Sequence, residues 1–228
     1  MTILSPIRRL MKLVHPEGIP WPGSVIYNAL SLSAIFQKHY ELVAKDILSY
    51  SSQGALLDIG TGPAWLLLKI HKAAPQMRLT GIDSSAAMVT QARQNILAAG
   101  MSDSIEVRQG SAEQIPFTDG SFDVVVSTAS MHHWKQPSAC FNEVYRVLKK
   151  SGYVLIYDLV SDTPAPIMEK IRKEFGRWKA TLFWLHSFEE PFYSQKNFAS
   201  LAENTSFRKK QAHFVGLLYC LVLKKDMS

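Results

Sequence analysis

The sequence predicts an α/β fold: an open, mostly parallel sheet of about seven strands with helices on both faces. Three stretches carry that prediction. Ala55-Leu56-Leu57-Asp58-Ile59 is a short apolar run that passes through an acid and enters a glycine turn, Gly60-Thr61-Gly62-Pro63, followed by an apolar, helix-like segment from Ala64. Strand, tight turn and helix in that order open a Rossmann-like nucleotide-binding unit, and Gly60 and Gly62 let the backbone bend sharply and approach a ligand closely. One unit later, Leu79-Thr80-Gly81-Ile82-Asp83 repeats the apolar run ending in an acid. Finally, Phe122 to Thr128 is almost continuously apolar, as expected of a strand covered on both faces.

The remaining elements fall into place around these. Ile7, Leu10, Met11 and Val14 recur at helical spacing, and the turn-rich run from His15 to Gly23 cannot be a helix interior. A long helical pattern runs from about Ser24 to Tyr50, with Phe36, Tyr40, Val43, Ala44 and Ile47 on one stripe. A helix from Ala64 to about Ala74 ends before Pro75. Ser84 or Ser85 caps the next helix, which runs to Ala99 with Met88, Ala92, Ile96 and Ala99 on its buried side and Gly100 as its stop. A third strand, Ile105 to Gln109, leads into Gly110-Ser111-Ala112-Glu113. A helix from Ser138 to Lys150 precedes a fifth strand, Tyr153 to Leu159, which brings Tyr157 and Asp158 to a carboxyl end. Aromatic residues are dense between Thr163 and Asn204 (Phe175, Trp178, Phe183, Trp184, Phe188, Phe192, Tyr193), beyond what one crossover helix must bury, and this favours a substrate cap. The tail reads as two closing strands, Ser206 to Ala212 and Val215 to Leu223, broken near Gly216.

Composition narrows the function classes. With 228 residues and 47% hydrophobic content, the chain is expected to form one domain with a substantial core. No apolar run approaches the roughly 20 residues that span a bilayer, and no secretory leader is recognisable, so a cytoplasmic location is expected. The net charge of +6 is spread over several segments and reads as a solvated surface rather than a nucleic-acid footprint. The two cysteines, Cys140 and Cys220, lie far apart with no Cys or His at metal-ligand spacing in sequence. They are expected to be buried free thiols, and no metal is predicted. The oligomeric state is not legible.

The glycine turn and the two acids resemble those of the class I S-adenosylmethionine-dependent methyltransferases, in particular the small-molecule group that includes the ubiquinone and menaquinone biosynthesis C-methyltransferases. The resemblance covers roughly Ala55 to Leu159. The family's first motif, Asp-x-Gly-x-Gly-x-Gly, is matched by Asp58, Gly60 and Gly62, with Ala64 in place of the third glycine. An NAD-binding fold uses Gly-x-Gly-x-x-Gly, but its last position is filled here by Trp65. Asp58 directly before the turn would also repel a pyrophosphate, whereas it suits a donor carrying an amino group.

The resemblance implies S-adenosylmethionine as donor and S-adenosylhomocysteine as product. It assigns the donor to Asp58, Gly60, Thr61 and Gly62 at the first turn, and to Asp83, Ser84 and Met88 after the second strand. Gly110, Ser111 and Ala112 around the adenine, Ser127 at the fourth strand and Tyr27 from the N-terminal region complete the set. Ser111 stands where the family often has Asp. The resemblance also implies an antiparallel strand from a C-terminal hairpin, and one methyltransferase domain over residues 1–228. That domain divides into a helical cap (1–50), a donor-binding core (54–160), a substrate cap (161–204) and closing strands (205–228).

Methyl transfer from a sulfonium mainly requires alignment, and some acceptors must also lose a proton. His132, His133 and Asp158 stand at the carboxyl ends of strands four and five and are the candidate catalytic groups, Tyr157 being a weaker one. A second reading has the His-His-Trp loop shaping the donor pocket only. The expected acceptor is a small, apolar or aromatic metabolite; an RNA methyltransferase and a non-catalytic donor-binding protein are the alternatives.

Overall fold

The computed structural model describes residues 23–176, 193–203, 205–207 and 209–226. The predicted helix at residues 7–14, the Pro-Gly turn through Trp21, and Trp178 to Phe192 of the predicted cap lie outside them.

Helices α1 (Gly23–Ser31) and α2 (Ala34–Tyr50) precede β1 (Ala55–Ile59), α3 (Trp65–Ala73), β2 (Arg78–Asp83), α4 (Ala86–Ala98), β3 (Ile105–Gln109) and β4 (Phe122–Thr128). After β4 come α5 (Pro137–Val147), β5 (Leu148–Asp158), α6 (Ala165–Phe175), α7 (Gln195–Ser200), β6 (Lys209–Val215) and β7 (Leu218–Lys224). The seven strands form one sheet in the order β3-β2-β1-β4-β5-β7-β6. The first five are parallel, β7 runs antiparallel to β5, and β6 antiparallel to β7. This is the fold that the sequence predicts.

Strand alternation sorts the core into two layers. On one face Leu56, Val124, Val126, Leu155, Tyr157, Cys220 and Val222 pack with residues of α2, α3, α4 and α6. On the other, Leu57, Ile59, Val125, Val154, Ile156, Leu221 and Leu223 pack with α5 and α7. Cys140 and Cys220, both free and buried, lie in opposite layers.

Several local expectations are corrected. The helix expected over 24–50 is broken at Leu32-Ser33. Ser31 Oγ turns back onto the Asn28 carbonyl at 2.7 Å and Ser33 is extended, the local competition with helical bonding that serine offers. Ala99, placed on the buried stripe of α4, is exposed, because the helix already ends at Ala98. Residues 148–150, expected to be helical, begin β5: Leu148 pairs with Phe122 before an irregular register step to Tyr153–Val124, with Ser151 at a φ of 62°. The first closing strand starts at Lys209 rather than Ser206.

The connection from β1 leads outward to β2 and β3, and the chain returns to place β4 on β1's other side. The carboxyl ends of β1 and β4 therefore part at a topological switch point, where open α/β sheets hold ligands.

Candidate active site

Asp58 is the fourth residue of β1, in register with Gly81 of β2 and Val126 of β4, and only 2% exposed. One of its oxygens, Oδ2, accepts the Thr61 hydroxyl at 2.8 Å; the other, Oδ1, is buried with no hydrogen-bond partner. Burial pushes this carboxyl up to about 7; the Thr61 bond lowers it, and repulsion from Asp83 raises it again. Gly60 and Gly62 carry the turn at φ of 72° and 51°. A side chain on Gly60 would run into Ser130, and a methyl on Gly62 would lie 3.8 Å from Cε1 of Tyr27.

Asp83 ends β2 and is nearly buried. Its carboxylate accepts the Gly62 N–H and the Ser85 N–H, each at 2.9 Å, so it also ties the first turn to the cap of α4. Burial raises its pKa, while these two backbone donors lower it. Ser85, not Ser84, caps α4, accepting from Met88 N; Ser84 is exposed and Met88 is buried. Gly110 joins this end through its N–H to the Asp83 carbonyl. Ser111 Oγ, read as an acceptor for adenine, already takes the Gln114 N–H at 3.2 Å, and Ala112 is buried beside it. The loop is held from below by α5: Glu143 accepts the Ile115 N–H, and Arg146 donates to the Ile115 and Phe117 carbonyls.

Ser127, opposite Ile59 in the sheet, is fully buried, and its hydroxyl has no partner. Beyond it, Ala129 turns the chain at a φ of 50° into a short 3₁₀ turn, Met131–His133. His132 Nδ1 lies 2.9 and 3.0 Å from the two oxygens of Asp158, and the His132 N–H donates to the same carboxylate at 3.0 Å. The Leu159 N–H supplies a further bond at 2.9 Å. His132 and Asp158 thus form a buried pair, with side chains 6% and 1% exposed. His133 packs against His132 with the rings tilted by 46°, centroids 4.0 Å apart, and is exposed. Tyr157 does not join them. As the neighbour of Asp158 on a strand it points into the opposite layer, where its hydroxyl donates to Asp46 at 2.7 Å.

An aromatic wall comes from the N-terminal helices. Tyr27 packs edge-on against Phe36 at 6.4 Å, and Phe36 lies 6.5 Å from Tyr40. Both tyrosine hydroxyls are held neutral by burial; nearby Asp83 adds to the effect at Tyr27, and Tyr27 and Asp58 add to it at Tyr40. Two supporting residues escape a sequence reading. Asn28 accepts from Trp65 Nε1 and from Asn95 Nδ2, both at 3.0 Å, and so fixes α1 to the glycine turn. Ser130 abuts Gly60. Neither sits in a motif, since each acts through neighbours distant in sequence.

Comparison with known proteins defines the class. The methyltransferase domain family matches residues 57–156. Fold and comparisons together support a class I S-adenosylmethionine-dependent methyltransferase core. The chain is similar to the ubiquinone/menaquinone biosynthesis C-methyltransferase of Geotalea daltonii, 29% identical over 180 residues covering 73% of this chain and 75% of the relative. It spans 28–64% of the length of other curated relatives. In fold it is similar to a protein of Methanococcus maripaludis described as a candidate S-adenosyl-L-methionine-dependent methyltransferase (TM-score 0.74, 22% identity, 93% and 96% of the two chains). It is also similar to geranyl diphosphate C-methyltransferase from Streptomyces coelicolor, solved with S-adenosyl-L-homocysteine (TM-score 0.59, 14% identity, 82% and 78%).

The residues present fit this donor. The orphaned Asp58 Oδ1 is an acceptor waiting for a donor group, and an ammonium beside it would restore the ionised carboxylate that burial disfavours. Among the described residues no helix is long and apolar enough to cross a membrane.

Proposed function

We propose that the protein transfers a methyl group from S-adenosylmethionine, in line, to a small apolar or aromatic metabolite, and that His132 accepts the proton the acceptor loses. The observation that carries this reading is the buried His132–Asp158 pair at the end of β4 and β5. The donor supplies an electrophilic methyl on a sulfonium; the protein's own task is alignment and proton removal. Asp58 and the turn of Gly60, Thr61 and Gly62 hold the amino-acid end. Asp83 takes the ribose hydroxyls with oxygens that retain lone pairs beyond the two backbone bonds. Ala112 and the backbone from Gly110 face the adenine, and Tyr27 covers the turn.

Asp158 accepts the Nδ1–H of His132, which selects the tautomer whose basic nitrogen is Nε2 and stabilises the imidazolium formed when a proton arrives. His133 packs at a tilt against that ring and helps to orient it. The wall of Tyr27, Phe36 and Tyr40 gives an apolar surface with two neutral hydroxyls, suited to a flat or hydrocarbon acceptor. The two free thiols support a reducing, cytoplasmic setting.

The test is incubation with labelled donor and fractionated cell metabolites, then identification of the labelled product and turnover of variants on it. His132→Ala and His132→Asn are expected to lose about 10²–10⁴-fold in turnover with donor affinity held. Near-normal turnover in both, and in the double variant with His133→Ala, would make the loop donor packing only.

A further inference from the structure

In the layer facing α2, three adjacent strands present one row of side chains. Tyr157 of β5 is in register with Cys220 of β7, and Cys220 with His213 of β6. Asp46 of α2 closes over the row, accepting the Tyr157 hydroxyl at 2.7 Å and lying 2.9 and 3.0 Å from His213 Nε2. Tyr157 and Cys220 are fully buried, whereas Asp46 and His213 keep 20% and 35% of their side chains exposed at the rim. A carboxylate oxygen of Asp46, His213 Nε2 and Cys220 Sγ all lie within 4.8 Å of one another.

We propose that Asp46, His213 and Cys220 bind a divalent transition metal of the zinc type. One thiolate, one imidazole and one carboxylate select a borderline cation over magnesium or calcium, which take oxygen ligands. The metal's two positive charges balance the thiolate and the carboxylate, so the buried centre carries no net charge. Zinc bonds of about 2.0–2.3 Å set tetrahedral ligands roughly 3.3–3.6 Å apart. The cluster closes by side-chain rotation of about an ångström, and the tighter His213–Asp46 approach opens slightly. On binding, the thiol proton leaves to solvent and the His213 proton sits on Nδ1. A water from the exposed rim takes the fourth position, and Tyr157 orients Asp46 from the second layer of contacts. The site clamps the C-terminal hairpin to α2. It draws on no residue of the donor pocket, so it stands or falls independently of the proposed reaction.

Chelator-treated full-length protein titrated with cobalt(II) tests this. One equivalent is expected to give a thiolate-to-cobalt charge-transfer band, displaced by zinc, and zinc is expected to raise the melting temperature. Cys220→Ser should abolish both effects and Cys140→Ser neither, since the chain has only these two cysteines. His213→Gln, at a partly exposed position, should weaken binding on the order of tenfold or more and serves if Cys220→Ser does not fold. Absence of the band at stoichiometric cobalt, or its persistence in Cys220→Ser, would leave the cluster a hydrogen-bonded latch and overturn the metal site. Calorimetry with S-adenosylhomocysteine on the same samples reports on the donor site separately.

Discussion

Two carboxylates lie at or near the carboxyl ends of strands of the same sheet, both almost completely buried, and they have opposite fates. Asp158 is surrounded by donors from its own chain: the His132 N–H, His132 Nδ1 and the Leu159 N–H. Asp58 has one hydroxyl, an orphaned oxygen, and a pKa lifted to about 7 by burial. A carboxylate already satisfied by its protein is holding a side chain in place. On the reading proposed above, the one left short of donors awaits a ligand, whose cation would offset the cost of leaving it short.

The largest effect expected from this contrast is at Asp158. Asp158→Asn should leave the donor affinity unchanged while turnover falls about 10²–10⁴-fold, because an amide can present its N–H to His132 and favour the wrong tautomer. Steady-state kinetics beside calorimetry separates the two quantities. Equal losses in both would mean that Asp158 shapes the donor pocket.

Next in size, Asp58→Asn should weaken S-adenosylhomocysteine by about 1.5–3 kcal/mol, the range for hydrogen bonds to charged groups. Asp83→Ala should cost a similar amount in affinity and also lower stability, since the Gly62 and Ser85 N–H groups lose their acceptor. Asp58→Asn should not destabilise the free protein. If it does, Asp58 is a structural carboxylate and the contrast with Asp158 fails.

These carboxylates were legible in the sequence because their evidence is local: apolar run, acid, glycine turn, all within a few residues of Asp58 and again at Asp83. The partnership of His132 with Asp158, 26 residues away, followed only as two strand ends facing one crevice. What stayed hidden depends on strand facing and long-range register. Tyr157 adjoins Asp158 in sequence yet points into the other layer, toward Asp46 at a separation of 111 residues. Cys220 shows no metal-ligand spacing in sequence because His213 reaches it across a hairpin and Asp46 from a helix near the other end of the chain. The turn that ties Ser111 Oγ to the Gln114 N–H was equally hidden; it leaves the hydroxyl one lone pair and its own proton.

A smaller effect is in pH. Asp58 ionises near 3.9 in an unfolded chain and near 7 in the fold. Between those values the folded state keeps the proton longer, so its contribution to stability falls as pH rises through that window. A cationic donor held at Asp58, as proposed, would bind the ionised form. Affinity should therefore rise about tenfold between pH 6 and pH 8, or about 1.4 kcal/mol. The thermal shift produced by saturating S-adenosylhomocysteine should be about 3–5 °C larger at pH 8. In Asp58→Asn the shift should be flat with pH, and a slope retained there would move the titration to another group.

The smallest effect is expected at Ala64, which replaces a glycine of the family pattern. It is completely buried, precedes α3 and adopts a left-handed conformation, φ 65° and ψ 18°. That conformation costs a non-glycine residue about 1–2 kcal/mol. Ala64→Gly relieves this cost, loses about 0.8 kcal/mol of methyl burial and loosens the unfolded chain by about 0.4–1 kcal/mol. The terms nearly cancel, so the melting temperature should move by no more than about 2 °C, with donor affinity unchanged. Gly60→Ala, four residues earlier, has no such cancellation: it pays the left-handed cost, and its new methyl meets Ser130. Stability and donor binding should both suffer there. If Ala64→Gly tightened the donor markedly, the turn would be strained against its ligand, and the alanine would be setting affinity rather than filling space.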